Sequence, residues 1–150
     1  VRIDDILLNA AEEVHKLHKD YDVYFSFETI PDDESHCLIY GNEDLLFIAF
    51  KNIIQNACKY SYSHKAWVTL SVDASKKIIR IKDDGIGLSE ADKVKIMEPF
   101  YRASSAEQLS EGSGLGLSMS SKIITLHKGQ INIESTPGLG SVFAVIIPSA

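Results

Sequence analysis

The chain has 150 residues, 45% of them hydrophobic and 24% charged, with 15 basic against 21 acidic side chains and a net charge of -6. That is one ordinary domain, able to bury roughly two-thirds of its unfolded surface around a single core, and the balance excludes disordered, collagenous and low-complexity classes. The acidic excess argues against a generic electrostatic grip on nucleic acid or anionic lipid. The longest strictly apolar runs, 45–50 and 142–147, are too short for a transmembrane helix or signal peptide, so neither is expected.

In chain order, apolar residues Ile6, Leu7, Ala10, Val14 and Leu17 recur at three- and four-residue steps and predict a helix over 4–19. Residues 23–27 alternate like a strand, 31–34 form a polar turn, and 37–40 read as a second short strand stopped by Gly41. A long helix is expected over 43–59, with Asn42 as its cap. Paired strands follow over 67–72 and 77–81, then a short helix at 89–97 ended by Pro99, and a polar stretch at 103–113 without periodicity. A helix over 115–128 stops at Gly129, and strands at 130–134 and 141–147 flank Thr136-Pro137-Gly138-Leu139-Gly140. Strands and helices mix without strict alternation, which predicts an α+β two-layer sandwich, with helices on one face of a mixed, mostly antiparallel sheet. The whole chain is expected to form one domain. Cys37 and Cys58 have no CxxC spacing and read as small core residues of a reducing compartment, a disulfide between them being the alternative that sequence leaves open. The start at Val1, running at once into a patterned segment, suggests a piece excised from a larger protein.

Two segments carry chemistry on their own terms. Gly112-Ser113-Gly114-Leu115-Gly116-Leu117 lacks the lysine of a P-loop, and Leu117 stands where a dinucleotide fingerprint has its third glycine. Glycines opening a helix either end a loop or let free backbone N–H groups approach an anion such as a triphosphate. On the 43–59 helix, Leu46, Ala49, Phe50, Ile53 and Ala57 form the apolar stripe, while Asn52, Asn56, Lys59 and Tyr60 gather on an adjoining face. Asparagines bordering a core need a partner, either a cation at the amide oxygen or an internal hydrogen bond.

Taken together, Asn52-Ile53-Ile54-Gln55-Asn56-Ala57-Cys58-Lys59-Tyr60, Asp83-Asp84-Gly85-Ile86-Gly87, Glu98-Pro99-Phe100-Tyr101-Arg102 and the Gly112 to Leu117 segment resemble, in order and spacing, the N, G1, F and G2 boxes of sensor histidine kinases. The resemblance spans essentially the whole chain and implies the Bergerat ATP-binding fold shared with type II topoisomerases, mismatch-repair ATPases and a chaperone family. It implies ATP and Mg²⁺ as cofactors. Asn56 is then the Mg²⁺ ligand, with Asn52 one helical turn before it; Lys59 approaches the phosphates and Tyr60 lies against the adenine. Asp83 accepts from the adenine N6 amino group, a contact that guanine's carbonyl cannot make. Gly85 and Gly87 leave room for base and ribose, and Asp84 is a turn or rim residue. Arg102 reaches the γ-phosphate, and Gly112, Gly114 and Gly116, with Leu115 and Leu117 between and beside them, wrap the phosphate chain. Residues 103–113 form a nucleotide lid, expected to order on phosphate binding, with Phe100 as its hinge anchor. Asn56, Lys59 and Arg102 are the catalytic set.

The resemblance also implies a phosphoacceptor histidine, but His15, His18, His36, His64 and His127 all lack its sequence context. The acceptor is expected on a separate dimerisation domain of the parent protein, with a response regulator downstream and neither nucleic acid nor membrane contacted by this domain. A cytoplasmic location follows, with any anchor elsewhere in the parent. Two alternatives stand beside this reading: a non-catalytic ATP-binding switch, and an anti-sigma-factor serine kinase of the same fold, which leaves the Glu98 to Arg102 box unexplained.

Overall fold

The computed structural model describes residues 1–29, 31–96, 98 and 116–150. The expected lid at 103–113, and with it Phe100, Arg102, Gly112, Gly114 and Leu115, lies outside the described residues. The elements are α1 (Ile3–Leu17), β1 (Asp22–Phe27), a 3₁₀ turn (Glu34–Cys37), α2 (Glu43–Tyr60), β2 (Lys65–Val72), β3 (Lys76–Asp83), α3 (Glu90–Lys95), α4 (Gly116–Leu126), β4 (Gln130–Thr136) and β5 (Gly140–Pro148).

The five strands form one sheet in the order β1-β2-β3-β5-β4. β1 runs parallel to β2, as a crossover through α2 permits, and the other neighbours are antiparallel. The β2–β3 turn is built by Asp73, whose carboxylate accepts from the backbone N–H groups of Ser75 and Lys76 at 2.7 and 2.8 Å. One sheet face buries Ala66, Val68, Leu70, Ile79, Ile81, Phe143, Val145 and Ile147. Against it lie Ile3, Ile6, Leu7, Ala10 and Val14 of α1, the predicted stripe of α2, and Leu117, Ile123 and Ile124 of α4. Each buried Val, Leu, Ile or Phe among them stabilises the fold by about 1.5–3 kcal/mol. The other face is open, and there Trp67 stacks on Tyr24 with ring centroids 6.2 Å apart.

Asn42 caps α2 as expected, its side chain accepting from the Leu45 N–H at 2.9 Å. Several expectations need correction. Residues 37–40 do not form a strand: Asp33 accepts from the Ser35 N–H at 2.8 Å and nucleates the 3₁₀ turn, leaving a single bridge between Leu38 and Arg2. Leu17 is the last residue of α1 and points largely to solvent, 55% exposed. β3 extends to Asp83, which therefore closes a strand rather than sitting in a loop. At the end of α4 the left-handed residue is Lys128, with φ 62°. The Gly129 N–H returns to the Ile124 carbonyl at 2.9 Å. Gly129 itself allows close approach, since a Cβ there would lie 2.6 Å from the Ile146 carbonyl oxygen. Cys37 and Cys58 are both buried free thiols.

Candidate nucleotide-binding site

Apart from Lys77 at the opposite end of β3, the helix-facing side of the sheet is apolar until its last row. There the strand registers place Asp83 opposite Ser141 and Ser141 opposite Ser135, so one carboxylate and two hydroxyls line up across β3, β5 and β4. Asp83 is only 5% exposed. Its carboxylate accepts from the Gly85 N–H at 2.9 Å and from the Ser141 backbone N–H. Burial dominates those two hydrogen bonds and, with the neighbouring Asp84 charge, pushes its pKa up to about 6. A carboxylate so poorly solvated calls for a further donor.

Three glycines allow the backbone around Asp83 to close up. A Cβ on Gly85 would collide with the Tyr60 carbonyl, one on Gly87 (φ 68°) with the Thr136 carbonyl, and one on Gly140 (φ 96°) with the Asp83 carbonyl. The space beside Gly85 and Gly87 is thus taken by the protein's own main chain. The end of α2, the segment after β3 and the β4–β5 hairpin are thereby held together, and the Gly138 N–H adds a 2.7 Å bond to the Ile86 carbonyl. Asp84 does more than turn the chain: it accepts the hydroxyl hydrogens of Ser61 and Ser63, just past α2.

The second half of the site lies on α2. Asn52, Asn56, Lys59 and Tyr60 are all half-buried, and Asn56 and Tyr60 stand about 6 Å apart along the helix axis. The Lys59 Nζ lies 5.8 Å from the Tyr60 ring centroid. Gly116 opens α4 directly beside the amides: a Cβ there would sit 3.8 Å from Asn52 Cβ and Cγ and 3.9 Å from Asn56 Nδ2. The buried Ser120 hydroxyl donates to the Ala49 carbonyl at 2.9 Å and fixes α4 on α2. Leu117 packs into the core instead of facing the site.

The structure therefore joins Asp83, Gly85, Gly87 and Tyr60 at one end and Asn52, Asn56 and Gly116 at the other, along one helix. Among the described residues no hydrogen bond engages either asparagine carboxamide, and no group of three or more His, Cys, Asp or Glu is placed to hold a metal. A hard cation here would take an amide oxygen, with ligand and water oxygens completing its shell, which suits Mg²⁺. Ser141, Ser135, Ser61 and Ser63 were missed from sequence. Ser141 and Ser135 each sit in phase with inward apolar residues of their strands, Phe143, Val145 and Ile147 on β5 and Ile131 and Ile133 on β4, but only the register between the strands brings them together.

Residues 41–150 match the family model of the histidine kinase-, DNA gyrase B-, and HSP90-like ATPases. The chain belongs to this ATPase family. Sensor histidine kinase CpxA of Escherichia coli (strain K12) is 36% identical over 143 residues, 95% of this chain and 29% of that protein. The chain spans under a third of the curated relatives that it matches over most of its own length. Among solved structures, the catalytic domain of histidine kinase ThkA is 26% identical with a TM-score of 0.77, covering 99% of this chain and 95% of that one. Mycobacterial sensor histidine kinase MprB superposes with a TM-score of 0.84 at 22% identity, over 99% and 96% of the two chains, and speaks to the fold alone. Fold and family are those of the catalytic, ATP-binding domain of sensor histidine kinases.

Proposed function

We propose that the domain binds Mg-ATP and delivers the γ-phosphoryl group to a histidine on a separate phosphoacceptor and dimerisation domain of a larger sensor kinase, from which a response regulator is phosphorylated in turn. The observation that carries this reading is Asp83, a buried carboxylate ending a largely apolar sheet face and joined by α2 to the corner of Asn56 and Gly116. Asp83 accepts from the adenine N6 amino group, with the Ser141 hydroxyl beside it, and Tyr60 covers the base. Asn56 holds Mg²⁺, which when bound neutralises charge on the phosphate oxygens. Lys59 and Arg102 approach the phosphates, and the amides from Gly112 to Gly116 receive them at the start of α4. In the transfer the bond between the γ-phosphorus and the β,γ-bridging oxygen breaks, a phosphorus–nitrogen bond forms to the acceptor imidazole, and ADP leaves.

Asn52 bears on the fate of ATP before the acceptor arrives. Its neutral amide has no useful proton affinity near pH 7 and does not activate water, so bound ATP is preserved. No described helix is long and apolar enough to cross a membrane; a cytoplasmic domain, with any anchor elsewhere in the parent protein, goes with this reading. The test uses γ-labelled ATP. The isolated chain should not label itself, and should transfer label to a supplied helical hairpin carrying the parent histidine. Acid-labile phosphate on the isolated chain, or steady phosphate release abolished by Asn56→Ala, would replace this division of labour with another.

A further inference from the structure

We propose that Ser135 is a positioning residue for adenine recognition, acting by setting the direction of the Ser141 hydroxyl beside Asp83; this rests on the reading of Asp83 as the adenine-binding carboxylate. The Ser135 Oγ accepts the Leu88 N–H at 2.6 Å. It also lies 3.1 Å from the Gly140 carbonyl oxygen and 2.7 Å from the Ser141 Oγ. A serine hydroxyl has one proton and two lone pairs. With one lone pair committed to Leu88, two arrangements remain. Either Ser135 donates to the Gly140 carbonyl and consumes the Ser141 proton with its second lone pair, or it donates to Ser141 and leaves the Ser141 proton free.

Only the second arrangement matches the edge of adenine. Next to the N6 amino donor, adenine offers the N1 acceptor, whereas guanine offers an O6 acceptor next to an N1–H donor. Asp83 as acceptor with Ser141 as donor, directly or through one water, is complementary to the first edge and mismatched at both places to the second. Ser135 supplies that polarity by turning its own proton from the Gly140 carbonyl, 3.1 Å away, to the Ser141 Oγ at 2.7 Å when nucleotide binds. The hairpin does not need Ser135 for attachment, since the bond from the Gly138 N–H to the Ile86 carbonyl joins the same two segments. Ser135 also sits on β4 in register with Ser141, where a β-branched residue fits the strand.

The experiment compares Ser135→Thr with Ser135→Val, two side chains of one shape that differ in the hydroxyl, by calorimetric titration with Mg-ADP and Mg-GDP. The wild type and Ser135→Thr should prefer the adenine nucleotide to a similar degree. Ser135→Val should lose about three- to tenfold in ADP affinity with GDP affinity little changed, narrowing the preference. Ser141→Ala should narrow it by the same factor, and adding Ser135→Val to Ser141→Ala should change nothing more, as expected of one residue acting through the other. A selective wild type whose preference survives Ser135→Val, or effects of the two substitutions that multiply, would overturn this proposal alone. A wild type indifferent to the base would overturn the Asp83 reading and this proposal with it.

Discussion

The carboxylate of Asp84 accepts the hydroxyl hydrogen of Ser61, the residue that follows the last turn of α2, and that of Ser63 at 2.8 Å. The Ser61 hydrogen bond, followed by that of Ser63, holds the Asp84 carboxyl below its ordinary range against a smaller opposing effect of burial. Asp84→Ala should therefore lower stability by about 1–2 kcal/mol and loosen Tyr60 relative to Asp83. A depressed carboxylate stabilises the fold above its unfolded pKa, and that contribution disappears as pH falls through the folded value. Urea unfolding of wild type and variant should thus differ at neutral pH and converge in acid.

Asp83 behaves in the opposite sense. With its pKa raised to about 6, the folded state holds a proton that the unfolded state has released, so stability falls as pH rises from the ordinary carboxylate range through about 6. On the proposed role of Asp83, nucleotide binding needs the ionised acceptor. ADP affinity should be constant above pH 7 and about tenfold weaker at pH 5, measured by titration at each pH, whereas Asp83→Asn should be weak throughout and lose that dependence.

Two glycines of the site should respond differently to the same methyl group. At Gly85 the Cβ meets the backbone carbonyl of Tyr60, which cannot rotate away, so Gly85→Ala should cost about 3 kcal/mol of stability. At Gly116 the nearest atoms are 3.8–3.9 Å away, ordinary contact, and alanine favours a helix. Gly116→Ala should leave the melting temperature unchanged or raised, yet weaken Mg-ATP binding about tenfold, because its methyl occupies the corner between Asn52 and Asn56.

Ser120 offers a test of how α4 is seated. Ser120→Ala removes the bond to the Ala49 carbonyl and should cost about 1 kcal/mol. Ser120→Leu should cost about 1–3 kcal/mol and push Gly116 away from Asn56. Thermal unfolding with and without Mg-ATP separates the two effects, the larger residue losing more of the nucleotide-induced stabilisation.

Legibility from sequence followed the range of the interactions concerned. The stripe on α2 and the Asn42 cap are local, period-governed features, and both are found. The boxes around Asn56 and Asp83 are contiguous strings whose spacing could be matched before any folding was considered. The error at 37–40 is local too, but there a side-chain bond from Asp33 outcompeted strand pairing in a segment with only one partner residue. What stayed hidden was relational. Ser135 and Ser141 acquire meaning only from cross-strand register, and the clamp of Asp84 on Ser61 spans a sequence gap of two strands. At Gly85 and Gly87 the structure shows close approach of one main chain to another, which leaves no periodic trace.

β5 comes after every other strand in the chain and yet lies inside the sheet, between β3 and β4. During synthesis, β2 and β3 can pair as soon as both have left the ribosome, but β4 emerges with no neighbour to accept it. Ser141, Gly140 and the second amide donor to Asp83 arrive last. A nascent chain halted before residue 140 would carry α2 and its asparagines but no base pocket, and its unpaired β3 edge would be open to other chains. On the proposed role of Asp83, adenine nucleotide is captured only once translation has run through β5.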